Sequence, residues 1–362
     1  MSIAAGPAVS DHPARTGRGW VIAWLWLIAA LVFAMVVVGG ATRLTGSGLS
    51  ITEWNPIMGA LPPLSEADWL AVFAKYKAIP QFAIANRDMT LNGFKVIFWW
   101  EWTHRFLGRF IGVAFLLPFI LFLATGAIRR AEIGRFGLLF VLGAAQGAVG
   151  WWMVASGLVD RIDVAPYRLA THLSLASFIF AATVWIALTL DRKPAEINGR
   201  SATARRKAGA ATLTANLLIA AVFVQIFLGA LVAGNDAGLV YNTWPSMNGT
   251  FVPDDVLAME PLWRNFFENA ATVQFVHRLG AYAVFALAVA EGLGWIARAQ
   301  ANPRGPRRGR KTAIALLLVV SAQLALGVLT LLYVVPLSLA LAHQAGAVIL
   351  LATALTHRAA LR

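Results

Sequence analysis

Residues 20–41 read WVIAWLWLIAALVFAMVVVGGA, a run without a single charge. At 1.5 Å rise per residue, about 20 apolar residues in a helix cross the hydrocarbon core of a bilayer. Seven further stretches meet that length: 101–125, 134–156, 166–190, 212–234, 271–297, 311–333 and 336–357. The chain is 59% hydrophobic and 13% charged, whereas a soluble domain carries roughly 45–50% and about 25%. An all-α integral membrane protein with eight transmembrane helices is therefore expected. Arg15 and Arg18 precede the first run, and no small-residue cleavage pattern follows it. It reads as a retained helix rather than a cleaved signal. The chain has no cysteine, which excludes a disulfide scaffold, thiolate-bound zinc or iron–sulfur clusters, and a cysteine nucleophile.

Charge placement predicts the orientation. With both termini inside, the inner segments and adjoining span ends hold 19 of the 30 Lys and Arg residues. The other 11 lie outside, nearly balanced by 12 Asp and Glu. This is the positive-inside pattern. The basic runs at Arg205-Arg206-Lys207 and Arg304 to Lys311 are thus topology signals, and no nucleic-acid partner is expected despite the net charge of +13. Two long outer segments, 42–98 and 235–270, are rich in Trp, Pro, Asn and acids and read as folded caps.

The two halves echo each other. Gly39 to Pro56, with Thr45-Gly46-Ser47-Gly48-Leu49 and Trp54-Asn55-Pro56, resembles Gly229 to Pro245 at an offset of 190. His104-Arg105 matches His277-Arg278, Gln146…Gly150 matches Gln323…Gly327, and His172 matches His343. Four spans per half make the repeats parallel. The expected organisation is a cytoplasmic tail 1–19, a four-helix bundle 20–190, a basic linker 191–211, a second four-helix bundle 212–357 and a tail 358–362, the bundles pseudo-symmetric.

Of six histidines, His12 and His357 lie in the tail and at the inner end of the last span, where solvated or interfacial positions are expected. His104, His172, His277 and His343 lie in the second and fourth spans of each half. His172, His277 and His343 sit six or seven residues past an outer helix end, about 10 Å deep, and the helix of His104 is expected to begin in the 90s. Ionisable groups inside a membrane are costly and mark function. Two imidazoles facing each other in each bundle suit a heme iron with two axial ligands. Zinc would want three or four ligands. Gly108…Gly112 and Gly143…Gly147 permit close approach of a flat ring or of another helix. Arg105, Arg109 and Arg278 are candidate partners for heme propionates through bidentate pairing, with snorkelling to lipid headgroups as the alternative. The Trp99-Trp100-Trp102 cluster reads as interfacial aromatic belt.

The halves differ one turn before the first histidine. Glu101 precedes His104, and Gln274 precedes His277. An acid at i−3 shares the face of its histidine, so the first site is suited to acid/base work and the second to electron transfer.

These pieces resemble the heme A synthase family, the oxidase-assembly enzymes that convert heme O to heme A. The resemblance rests on Thr42-Arg43-Leu44-Thr45-Gly46-Ser47-Gly48-Leu49-Ser50-Ile51-Thr52-Glu53-Trp54-Asn55-Pro56, on Pro62-Pro63-Leu64, and on Phe94 through His104-Arg105 to Gly108-Arg109. His277-Arg278-Leu279-Gly280 and His343-Gln344 add the second half. It covers about 20–357. It implies a substrate heme between His104 and His172, a resident heme B between His277 and His343, and Glu101 as the essential acid. The implied reaction oxidises a ring methyl of heme O to a formyl group through hydroxylation, with an electron acceptor. It also implies a bacterial inner membrane location with heme sites near the periplasmic side, heme O synthase and oxidase-assembly factors as partners beside lipid, and a homo-oligomer as an option. Some members carry a cysteine pair in an outer loop; this chain has none and resembles the proteobacterial and mitochondrial-like class. Gly93 stands where the family often has an acid. The rival readings are a diheme b-type cytochrome without enzymatic activity and a transporter built from parallel repeats.

Overall fold

A computed structural model describes residues 17–55, 57–191, 202–301 and 307–361. His12, most of the N-terminal tail, Pro56, residues 192–201 of the basic linker and Arg304 lie outside the described residues. Among the described residues the chain is helical, with only an isolated bridge between Met247 and Thr250. In chain order the α-helices are α1 (Arg18–Leu44), α2 (Glu66–Lys77), α3 (Pro80–Ala85), α4 (Leu91–Ala124), α5 (Ile133–Ala155), α6 (Pro166–Thr189), α7 (Ala202–Gly234), α8 (Asn265–Glu268), α9 (Ala270–Ala301), α10 (Arg307–Leu332) and α11 (Leu337–Ala360). All but α2, α3 and α8 are long and apolar enough to cross a membrane. The protein is a multi-pass membrane protein with the eight spans read from the sequence.

The helix of His104, α4, starts at Leu91, in the 90s as expected and ten residues before the apolar span, and α7 likewise starts ten residues before its span. Thr90 caps α4 by accepting from the Gly93 amide at 3.3 Å. The added turns have protein to pack on: Phe94 lies 4.9 Å from Phe73 and 5.3 Å from Tyr76, both on α2. The outer segment 42–98 is a folded cap, as its composition suggests. The fully buried Tyr76 donates to Gln81 Oε1 at 3.0 Å and accepts from Asn86 at 2.7 Å. Burial pushes its phenol above the usual range because the charged form loses its hydration.

Helices α1, α4, α5 and α6 close into one ring and α7, α9, α10 and α11 into another, with α6 against α7 and α1 against α11. Apolar side chains alone give helices little reason to associate in lipid, so close backbone approach and interhelical hydrogen bonds matter more. Both occur between the rings. A Cβ at Gly234 would stand 2.7 Å from Pro166 Cα, and Gln344 donates to the Val36 carbonyl at 2.6 Å, where Gly40 leaves room for its amide. At the helix ends that carry the long loops, Arg43 meets Asp236 at 2.9 Å.

The opposite helix ends are pinned by buried polar groups. Arg18 binds both Glu132 oxygens, at 2.6 and 2.5 Å, and reaches Asp191 at 2.7 Å. In the second half, His357 corrects the expectation of a solvated or interfacial side chain: it is 0% exposed. Its Nδ1 lies 2.9 Å from Thr312 Oγ1 on α10. Its Nε2 lies 3.4 Å from Glu291 on α9, which accepts from Thr214 on α7. Four helices thus meet at one imidazole. Unpairing a buried polar group costs about 1–3 kcal/mol, so His357→Ala is expected to lower the thermal midpoint of the purified protein. An unchanged midpoint would deny the junction a structural role.

Candidate functional site

The four intramembrane histidines sit in one recurring setting. Each ring lies against a glycine of a neighbouring helix: His104 against Gly39, His172 against Gly150, His277 against Gly229 and His343 against Gly327. A Cβ at these glycines would stand 3.0, 2.9, 3.1 and 2.8 Å from the nearest ring atom, so only glycine lets the imidazole lie this close. All four histidines remain partly accessible, as side chains lining a cleft do.

One turn before the glycine, three of the four neighbouring helices carry a glutamine. Gln146 Nε2 donates to the His172 carbonyl at 2.9 Å and lies 3.2 and 3.4 Å from its ring nitrogens. Gln225 does the same at His277, at 2.9 Å to the carbonyl and 2.9 Å to Nδ1. Gln323 repeats it at His343, at 3.0 and 3.2 Å. The Oε1 atoms of all three are buried without a hydrogen-bond partner. On α1 the equivalent place, four residues before Gly39, is Met35.

Glu101 and Gln274 are both 2% exposed, and both tie their helix to an outer loop. Glu101 Oε2 accepts from Ser50 Oγ and the Ile51 amide, each at 2.8 Å. Its Oε1 accepts from Arg105, at 3.0 Å from Nε and 2.6 Å from Nη2. Gln274 instead donates, to the carbonyls of Ala237 at 2.7 Å and Tyr241 at 3.2 Å. The first loop turns N–H and O–H groups toward an acid; the second turns carbonyls toward an amide. The matching arginines also hold loops. Arg105 donates to the carbonyls of Ile51 and Glu53 at 2.7 and 2.9 Å, Arg109 to Asn55 at 2.9 Å, and Arg278 to Tyr241 and Ser246 at 2.9 and 3.2 Å. Arg278 Nε stays buried and unbonded.

His277 and His343 have ring centroids 6.5 Å apart with planes at 88°. Two imidazole–metal bonds of about 2 Å, each with about 1.1 Å from nitrogen to ring centre, need about 6.2 Å. The pair therefore leaves room for one metal between the rings. No three or more His, Cys, Asp or Glu converge among the described residues, so each histidine pair offers two ligands. That suits an iron whose other four positions come from a macrocycle. The glycine cradles and the free Arg278 Nε fit such a group as well: they leave space for rings and a donor for a carboxylate.

The rings of helices differ in closure. α9 packs closely on α10, whereas α4 and α5 stand apart along most of their length. Cβ atoms at Gly112, Gly143 and Gly147 would meet nothing within 4 Å. These glycines face open space rather than a helix.

The family model described as cytochrome oxidase assembly protein matches residues 22–355. The chain belongs to the cytochrome oxidase assembly protein family. A relative from Azorhizobium caulinodans, named heme A synthase, is 52% identical over 359 residues, covering 99% of this chain and 97% of its own. Those of the same name from Parvibaculum lavamentivorans and Rhodopseudomonas palustris are 51% and 53% identical, covering 93% and 91% of this chain and 93% and 87% of their own.

The sequence pattern singles out the histidines, Glu101, the arginines and two of the glutamines. It misses Gln225 and Met35, although each stands four residues before a glycine as Gln146 and Gln323 do. It also misses Arg168, one turn before His172, which donates to the Trp152 carbonyl at 2.7 Å and keeps a buried, unbonded Nε.

Proposed function

We propose that the chain is a heme A synthase that oxidises a ring methyl of heme O to a formyl group. The net change is R–CH3 + H2O → R–CHO with release of four electrons and four protons, taken in two steps through a hydroxymethyl group. The electrons go to an acceptor outside the chain. The reading is carried by two histidine pairs in like cradles whose surroundings differ at one acid.

The first four-helix unit (20–190) takes the substrate heme between His104 and His172. The second (212–357) takes heme B between His277 and His343; when bound, heme B supplies one-electron redox chemistry. Arg105, Arg109 and Arg278 shape the rims, and Arg278 Nε and Arg168 Nε are donors available to propionates. Glu101 accepts protons leaving the substrate. Ser50 makes this feasible: its Oγ lies 2.8 Å from Glu101 Oε2 and 3.3 Å from the Ile97 carbonyl. When Oε2 takes a proton, the hydroxyl turns its hydrogen to Ile97 and accepts from the acid. Gln274 has no such capacity. With both termini inside, the sites lie toward the periplasmic face of the bacterial inner membrane, where heme O synthase and oxidase-assembly factors are the fitting partners.

Expression with a heme O source, followed by pigment chromatography, tests the reading. His104→Ala and His172→Ala are expected to abolish heme A and retain a low-spin heme B. Loss of all heme in these variants, with His277→Ala still active, would reverse the two halves. A folded protein that carries heme and never forms heme A would favour the diheme cytochrome.

A further inference from the structure

Three of the four imidazoles share one orientation and the fourth is turned over. His172, His277 and His343 present Cε1 and Nδ1 to their glycines, at 2.9 and 3.4, 3.1 and 3.6, and 2.8 and 3.4 Å from a built Cβ. His104 presents Nε2 and Cδ2 to Gly39, at 3.0 and 3.3 Å. A half-turn of an imidazole about its Cβ–Cγ bond exchanges Nδ1 with Cδ2 and Nε2 with Cε1 and leaves the ring's shape unchanged. Packing cannot choose between the two orientations; hydrogen bonding can.

The glutamines provide that choice at three sites, where the amide Nε2 lies 3.2, 2.9 and 3.2 Å from Nδ1 of His172, His277 and His343; with the amide turned over, Oε1 would accept from the Nδ1–H of a ring ligated through Nε2. At the second-half sites glycines on the histidine's own helix give the amide its place: the oxygens of Gln225 and Gln323 lie over Gly280 and Gly346, each three residues after the histidine. At the corresponding place on α1 stands Met35, whose methyl lies by Gly108, one turn past His104. A Cβ at Gly108 would stand 3.3 Å from Met35 Cε, and a thioether methyl cannot tell a ring nitrogen from a ring carbon. Partners one step behind a metal ligand fix its orientation and typically contribute about 10–100-fold to affinity.

Resting on the proposed heme-ligand reading, we propose that Met35 makes His104 the releasable ligand of the first site. Its imidazole turns Nε2 toward or away from the iron, so substrate heme arrives and product heme leaves there. The three glutamines hold the other rings, and the second site, with a glutamine on both histidines, keeps its heme. Met35, Gln146, Gln225 and Gln323 are positioning residues in this scheme.

The test uses the purified full-length protein loaded with heme and an excess of apomyoglobin as scavenger. Pigment extraction identifies which heme has left, and low-temperature electron paramagnetic resonance reports each low-spin iron. Met35→Gln is expected to slow release from the first site by about tenfold or more and to narrow its low-spin signal, while release of heme B stays unchanged. Gln225→Met is expected to speed heme B release by about tenfold or more. Met35→Leu keeps the apolar contact and should behave as the parent does. Unchanged release in both Met35→Gln and Gln225→Met overturns the proposal. If Met35→Gln does not fold, Gln225→Met and Gln146→Met decide it alone: faster loss from the altered site supports it and unaltered loss refutes it. Failure of the heme-ligand reading would look different, since the parent protein would then lack two low-spin irons.

Discussion

Glu101→Gln is expected to give a folded protein, loaded with heme, that makes at most a few per cent of the normal heme A. The fold should survive because the second half already uses this residue. Gln274 Oε1 accepts from Arg278 at 3.1 Å, as Glu101 accepts from Arg105. Two things are lost. The amide cannot take a proton, and removing an acid/base group typically costs about 10²–10⁴ in rate. The amide nitrogen also faces the Ser50 hydroxyl and the Ile51 N–H, which donate to the carboxylate; Ser50 can turn, but Ile51 cannot. Pigment chromatography reads the product, and accumulated heme O or its hydroxymethyl derivative is the expected residue. Near-normal heme A would reduce Glu101 to a loop anchor.

His277→Ala and His343→Ala are each expected to remove the low-spin heme B spectrum and, with it, all heme A formation. Each deletes one of two protein ligands, and no third His, Cys, Asp or Glu converges nearby among the described residues to replace it. Visible and electron paramagnetic resonance spectra of the purified variants check this. An unchanged spectrum in both would sink the assignment.

Much of this was legible because a bilayer simplifies the code. Residues 20–41 have few alternatives to a span, and an imidazole ten ångströms into hydrocarbon needs a purpose. The paired motifs gave His104, His172, His277 and His343 their common frame. Less legible were the features that depend on three-dimensional approach. Gln225 and Met35 carry no signal until the helices bring them to a histidine, because glutamine four residues before glycine is a common spacing. The complementary loops around Glu101 and Gln274 turn on which way a few peptide units point, which side-chain pattern does not encode. His357 was misplaced because closeness to the chain end suggested the membrane interface. The side chains that bury it come from Thr214, Glu291 and Thr312, up to 143 positions away.

The gap between α4 and α5 bears on what concentration means for this protein. On the proposed function, with that side of the first ring open and Gly112, Gly143 and Gly147 facing no helix, the site's solvent would be the acyl chains of the membrane. An apolar porphyrin that partitions into those chains is then searched for in two dimensions. Occupancy follows its mole fraction among lipids rather than its molarity in water. A detergent micelle of large volume dilutes the ligand and sends its own tails into the same slot. Affinities measured in micelles would therefore vary with the detergent-to-protein ratio, whereas those measured in bilayers of fixed composition would be constant.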